Sequence, residues 1–495
     1  MLADTNNPNV HSLTQAQQAA VVPDANVWLS ASAGSGKTQV LSARVIRLLL
    51  AGAKPEEILC LTFTKAAAAE MAERINRKLA AWVQFADADL ARELLAIGAD
   101  HAKAGLPKAR KLFAEILDAP GGGLQIMTIH SFCQSLLGSF PEEAGIMPGF
   151  EPLDDRTKAE LQREVLAQIA HEADQTGDLR VTDSLHNLGL DRGEDGAWAF
   201  LQRCSSAVNV MRQLPDDQGL LPFVRRQFNL AYEGSTDKLM ASLCDDDIID
   251  IASIDAIRAA NEKWGSDRGA KRAGSIANWL ALTPLERGQK LFLLHSCWSK
   301  NDGEPLVASK GFTPPEDSYA RFALDLYQWS RRLIEMKALA AYCDRLADAL
   351  LAGKAFALRY AASKRARGLV DFDDLIAKAA ELLTTSGMTQ WVRYKLDRRI
   401  DHILVDEAQD TNAEQWAIIE ALSEDFFAGE GAKGDKPRTI FAVGDFKQAI
   451  YGFQGTDPSR YREAGDRYAA RLAEQSNVLH RLTLSQSFRS TQPIL

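Results

Sequence analysis

The sequence predicts an α/β fold: a parallel sheet interrupted by a large, mainly helical insertion. Three observations predict it. Five short runs, beginning at Asn26, Glu57, Leu124, Asp401 and Thr439, are apolar on both faces, as strands of a sheet covered on both sides should be. Most are followed by helical patterns, such as "KTQVLSARVIRLLLAG" and "KAAAAEMAERINRKLAAWV". The runs are also unevenly spaced, the first three before residue 130 and the next two after residue 400. Between them, from about 151 to 370, the text is helical in character, rich in Ala, Leu, Arg and Glu. Alternating strand and helix makes parallel neighbours, and ligands of such sheets bind beyond the carboxyl ends of the strands.

The first run, "NVWLSAS", leads into Ala31-Ser32-Ala33-Gly34-Ser35-Gly36-Lys37-Thr38 and then a helix. This is a phosphate loop, in which backbone N–H groups and the helix N-terminus cradle phosphates. Lys37 would reach the β- and γ-phosphates and the Thr38 hydroxyl would bind Mg²⁺. Ala31 stands where the pattern usually carries its first Gly. In the second run, "EILCLTFT", Phe63 is placed to stack on a base, with Thr64 and Lys65 able to meet phosphates. The third, "LQIMTIH", puts Thr128, His130 and Ser131 at a strand end; a lone His is more often structural than catalytic. In the fourth, "DHILVDE", Asp406 and Glu407 directly follow the apolar stretch. An Asp here holds Mg²⁺ and an adjacent Glu polarises the attacking water; the competing reading is an exposed acidic loop. The fifth continues into "AVGDFKQAIYGFQGTD", where Gln448 would report the γ-phosphate. Tyr451 and Phe453 would stack on unpaired bases or, on the plainer reading, fill a core.

Composition sets outer bounds. A chain of 495 residues exceeds one hydrophobic core and implies two to four domains. Its 46% apolar and 25% charged residues are those of a soluble globular protein, with no apolar run approaching the ~18 residues of a membrane helix. The N-terminal stretch lacks the basic and apolar regions of a secretory signal. The six cysteines are scattered without a CxxC pair, which favours buried thiols in a reducing compartment and a cytoplasmic protein. A net charge of −9 argues mildly against nucleic acid, although binding needs only a local positive surface. One candidate is "GKAFALRYAASKRARG", with Lys354, Arg359, Lys364, Arg365 and Arg367 and no acid. In isolation it reads more simply as a solvated helix face.

Taken in order, "LTQAQQAA", "ASAGSGKT", "LTFTKAAAAEM", "TIHSFC", "DEAQDTN", "VGDFKQAIYGFQGT" and "LSQSFRS" resemble motifs Q, I, Ia, Ib, II, III and IV of UvrD/Rep-type superfamily 1A DNA helicases. "ASAGSGKT", "TIHSFCQ", "DFDDLI" and "GDFKQAIYGFQGTD" look most similar to its AddA and RecB branch. The resemblance implies a RecA-like P-loop sheet, domain 1A, formed by residues 1–150 and 371–481. It further implies a helical insertion 1B at 151–370 and the start of a second RecA-like domain, 2A, at 482–495, with Leu482–Leu484 as its opening strand, lacking the sheet it should join.

Residue roles follow from the same resemblance. Gln17 would read the adenine edge, and Asp406 and Glu407 would serve as Mg²⁺ ligand and catalytic base. Gln448 would couple the γ-phosphate to the DNA groove. Phe63, Tyr451 and Phe453 would face single-stranded DNA, with Tyr360 and Lys364 as a further DNA-facing pair. Phe488 would stack on adenine and Arg489 would reach the γ-phosphate. The implied activity is ATP- and Mg²⁺-dependent 3′ to 5′ movement on single-stranded DNA, in double-strand-break repair by homologous recombination. DNA ends would be the substrate and an AddB-like protein the partner, with no membrane. Motifs V and VI and the branch's nuclease domain find no counterpart, so the sequence reads as the N-terminal portion of a longer helicase-nuclease. Two other classes are compatible with a phosphate loop: a nucleotide-dependent DNA-binding module with little turnover, and a transporter-type ATPase. The second is disfavoured by the absence of an LSGGQ-type signature.

Overall fold

The computed structural model describes residues 12–32, 34–120, 123–230, 234–301, 303–307, 318–385, 389–397, 399–427, 436–445 and 458–486. The chain forms two units: Met1–Asp154 with Arg367–Leu495, and Asp155–Ala366.

The first unit is built on a sheet of β1 (Asn26–Ala31), β2 (Ile58–Thr62), β3 (Gln125–Thr128), β6 (His402–Val405), β7 (Thr439–Gly444) and β8 (Leu479–Leu484). Two short strands, β4 (Glu151–Pro152) and β5 (Leu369–Val370), pair separately. The six-stranded order is β3-β2-β6-β7-β1-β8, and every pairing is parallel. All five apolar runs of the sequence are therefore strands.

Their continuous hydrophobicity has a direct cause. Val27, Leu29, Cys60, Leu404, Phe441 and Val443 pack into a core on one face of the sheet. The intervening Trp28, Leu59, Leu61, Ile403, Val405, Ile440 and Ala442 pack into a second core on the other. Both sets are removed from water, so neither parity needs polar residues.

One expectation is corrected. Leu482–Leu484 does not open a second, partnerless sheet: β8 lies parallel to β1, from Asn26 opposite Leu479 to Ala31 opposite Leu484. Leu484 is buried in the same core as Leu29 and Ala31, with Leu482 packed against it. Without β8, β1 would be an edge, with a row of unpaired N–H and C=O groups.

Helices return the chain between strands. The first spans Lys37–Ala51 and stops at Gly52, whose φ of 110° and N–H, bonded to the Leu48 and Leu49 carbonyls, close the last turn. The helix Lys65–Gln84 starts at Thr64, whose hydroxyl accepts the Ala67 N–H at 3.1 Å.

The second unit is helical in its described residues apart from the single bridge between Ser299 and Pro305. Its spine is the helix Tyr319–Ala366. Trp279, Trp298, Ile254, Ile257 and Leu294 form its main core. All six cysteines are free and buried. No described helix is long and apolar enough to cross a membrane.

Candidate nucleotide site

The site lies at the carboxyl ends of β1, β6 and β7. After β1 the chain needs a turn tight enough to bring helical N–H groups towards a ligand, and two glycines supply it. Gly34 and Gly36 have φ of 75° and 85°, the left-handed region that costs other L-residues energy. The Ser32 carbonyl accepts both the Ser35 N–H at 3.1 Å and the Ser35 hydroxyl at 2.6 Å, closing the loop. Gly36 caps the helix Lys37–Ala51 without a side chain. The helix's first N–H groups thus stay available to an anion.

Gln17 binds this loop to the helix Gln15–Ala20. It is 1% exposed; its Oε1 accepts the Thr14 N–H at 3.0 Å while its Nε2 donates to the Ser35 carbonyl at 3.0 Å. Arg44, wholly buried, fixes the connection from that helix into β1. Its guanidinium donates to the carbonyls of Ala20, Val22, Pro23 and Ala25 and to Thr439 Oγ1 on β7. Burial, then the nearby Arg47, lowers its pKa to about 9.

The acidic half follows β6. The Asp406 N–H continues the ladder to β2 by donating to the Leu61 carbonyl at 2.9 Å. Glu407 then turns with φ 48° and ψ 43°, unusual for a residue with a long side chain. Lys37 Nζ meets both of its carboxylate oxygens, at 3.0 and 2.9 Å. The phosphate-loop lysine and the acid after β6, 370 residues apart in sequence, are in direct contact.

Burial first, and then the Glu407 charge, pushes the Asp406 carboxyl up to about 6. The same causes in the same order raise Asp410 to about 6. Carboxylates partly withdrawn from water and crowded by like charge are relieved by a cation. Asp406 fits a Mg²⁺ ligand on that ground, and the half-buried Thr38 supplies a hydroxyl one residue beyond Lys37. Among the described residues no group of three or more His, Cys, Asp or Glu is arranged to hold a metal. A Mg²⁺ that takes most of its ligands from water and phosphate needs no such group.

The other expected residues divide. Phe63 is half-buried at the end of β2, with Thr64 and Lys65 exposed beside it. Ala31 ends β1 with its methyl in the core, so its side chain does not face a ligand. Thr128 is 5% exposed and its hydroxyl caps the helix Ile129–Ser139, accepting the Ser131 N–H at 3.1 Å. It is thereby engaged in the fold and not displayed to DNA. His130 packs edge-on against Phe372, and burial lowers its pKa.

The pair Tyr360 and Lys364 is corrected. Tyr360 is fully buried, stacked on Phe356, and Lys364 is 3% exposed with Nζ 4.5 Å from the Tyr360 ring centroid. Side chains this enclosed do not offer a stacking face to a base. Ala33, Gln448, Tyr451, Phe453, Phe488 and Arg489 lie outside the described residues.

Sequence reasoning singled out only the first two acids of "DEAQDTN". The structure adds Gln409 and Asp410. Gln409 Nε2 donates to Glu407 Oε2 at 2.8 Å and to Asp410 Oδ2 at 3.0 Å, and its Oε1 accepts the Asp445 N–H at 2.9 Å. An amide among carboxylates was the available signal, but no spacing rule says which acid it would hold.

The model of the UvrD/REP helicase N-terminal domain matches residues 13–469, nearly the whole chain. The chain belongs to the UvrD/REP helicase family. Curated relatives are named as components of an ATP-dependent helicase/nuclease. That of Latilactobacillus sakei is 27% identical over 543 residues, covering 100% of this chain and 54% of the relative. That of Pelotomaculum thermopropionicum is 28% identical, covering 95% and 37%, and that of Levilactobacillus brevis 27%, covering 95% and 36%. The chain spans about half or less of the length of these curated relatives.

Proposed function

We propose that this chain is the motor portion of an AddA-like, ATP-dependent DNA helicase, moving 3′ to 5′ on single-stranded DNA in double-strand-break repair by homologous recombination. The observation that carries the reading is the contact between Lys37 and Glu407 at the strand ends, made across 370 residues and flanked by the half-buried Asp406. The unit built on the six-stranded sheet is read as motor domain 1A, and the helical unit as insertion 1B. DNA ends are the proposed substrate, and an AddB-like protein the proposed partner.

The residues suggest an order of events. ATP phosphates would enter over Gly34–Thr38 and draw Lys37 Nζ from Glu407 to their oxygens. Thr38 and Asp406 would hold Mg²⁺, which would offset phosphate charge. Glu407, released from Lys37, is then free to accept a proton from the attacking water. Phe63, Thr64 and Lys65 stand at the end of β2, next to β6, where base stacking and phosphate contact require no sequence readout.

A second reading is a nucleotide-dependent DNA-binding module with little turnover. The observation in its favour is that Lys37 occupies the carboxylate a base would need. ATP turnover measured with and without single-stranded DNA separates the two. DNA-stimulated hydrolysis abolished by Glu407→Gln is expected; DNA binding without turnover would leave the second reading.

A further inference from the structure

We infer that Gln409 is a positioning residue: it sets the Glu407 carboxylate against Lys37 and ties it to the end of β7. The inference rests on the ATP-site reading above and extends it to a residue that would touch neither nucleotide nor DNA.

Four observations converge. The Gln409 side chain is 1% exposed, so its amide can be satisfied only by protein. Its donor group spans two carboxylates, Glu407 Oε2 at 2.8 Å and Asp410 Oδ2 at 3.0 Å. Its acceptor is held by the backbone N–H of Asp445, the residue directly after β7, at 2.9 Å. Finally, β7 ends on a glycine that leaves space for this amide. A Cβ on Gly444 would lie 2.8 Å from Gln409 Oε1 and 3.1 Å from Gln409 N.

Glu407 needs such a hold. Its left-handed backbone is unfavourable for a side chain of its size, and nothing in that conformation fixes the carboxylate. Lys37 supplies one restraint and Gln409 the other. Because Lys37 must leave when phosphates arrive, Gln409 is the contact that stays. It keeps the base pointed at the loop through the step in which its ion pair is exchanged for substrate. The link through Asp445 also makes the base's position depend on where the chain leaves β7.

The test is a double-mutant cycle on the full chain, reading Mg²⁺-ATP affinity and turnover. Glu407→Gln removes the competitor for Lys37. Gln409→Met keeps side-chain length and removes the amide, and Gln409→Glu keeps the shape and removes the donor. If Gln409 acts through Glu407, Gln409→Met tightens ATP binding threefold or more in the native background. In the Glu407→Gln background it changes affinity by less than 1.5-fold. Turnover falls tenfold or more, with KM shifted much less, and Gly444→Ala reproduces the effect. A Gln409→Met change of equal size in both backgrounds, or none in either, overturns the inference; should that variant fold poorly, Gln409→Glu is judged by the same comparison. Lys37→Ala separates the levels: if it binds ATP like the native chain, the site reading itself fails, and the inference with it.

Discussion

Replacing Arg44 with methionine tests how the nucleotide loop is held. The guanidinium is wholly buried and donates to four carbonyls and Thr439 Oγ1. Of those carbonyls, Val22 keeps a second partner, the Ala25 N–H at 3.2 Å. The other three lose a donor that Met cannot replace, at about 1–3 kcal/mol for each group stranded. Against this, the substitution removes a buried charge, whose cost is visible in the depressed pKa of about 9. The relief brings the net loss to the low end, about 3 kcal/mol, a fall in Tm of roughly 5 °C for a unit of this size. Hydrogen exchange at β1 and β7 amides should accelerate with the melt, because Arg44 bridges the approach to one strand and a side chain of the other. Lysine should rescue little, since one ammonium cannot span these acceptors. A variant within about 1 kcal/mol of the native chain, or full rescue by lysine, would refute the reasoning.

Three further outcomes are expected. Gly36→Ala places a Cβ 3.0 Å from Gln17 Nε2 at φ +85°, so it should lose about 2 kcal/mol through backbone strain and the displaced Gln17 bond; unchanged denaturant melts would contradict this. His402 is held neutral, burial and then Arg44 lowering its pKa to about 4. The unfolded chain binds that proton below about 6.5 and the folded one does not, so stability should fall between pH 6.5 and 4, by up to about 3 kcal/mol. In His402→Gln that part of the slope should vanish in pH-dependent melts. Lys364→Ala should cost about 1–2 kcal/mol, from the lost contact with Tyr360, and leave the salt dependence of DNA binding unaltered. A slope reduced by about one would return Lys364 to the DNA path.

Much of the sheet was legible because both its faces are covered. Val27 and Trp28 point to opposite cores and are equally apolar, so each strand appears as an unbroken run closed by its functional residue. The phosphate loop was legible for a related reason: Gly34 and Gly36 occupy conformations that few other residues adopt. Partner choice was harder to read. Leu482 and Leu484 are as apolar as a first strand of a new sheet would be, and only the open edge of β1 decides where they go. Lys364 carries the same charge exposed or enclosed, and nothing in its spacing says that it is enclosed beside Tyr360. Gln409 was overlooked for the converse reason, since its role comes from two carboxylates, one N–H and a missing Cβ that the fold brings together.

The central claim is that Lys37 and its loop bind ATP phosphate against the acids after β6. Titration of the full chain with a fluorescent ATP analogue and Mg²⁺ measures this directly, comparing the native sequence with Lys37→Ala. Loss of the charge-assisted phosphate contact predicts affinity weakened at least tenfold. Equal affinity in the two proteins would contradict the account.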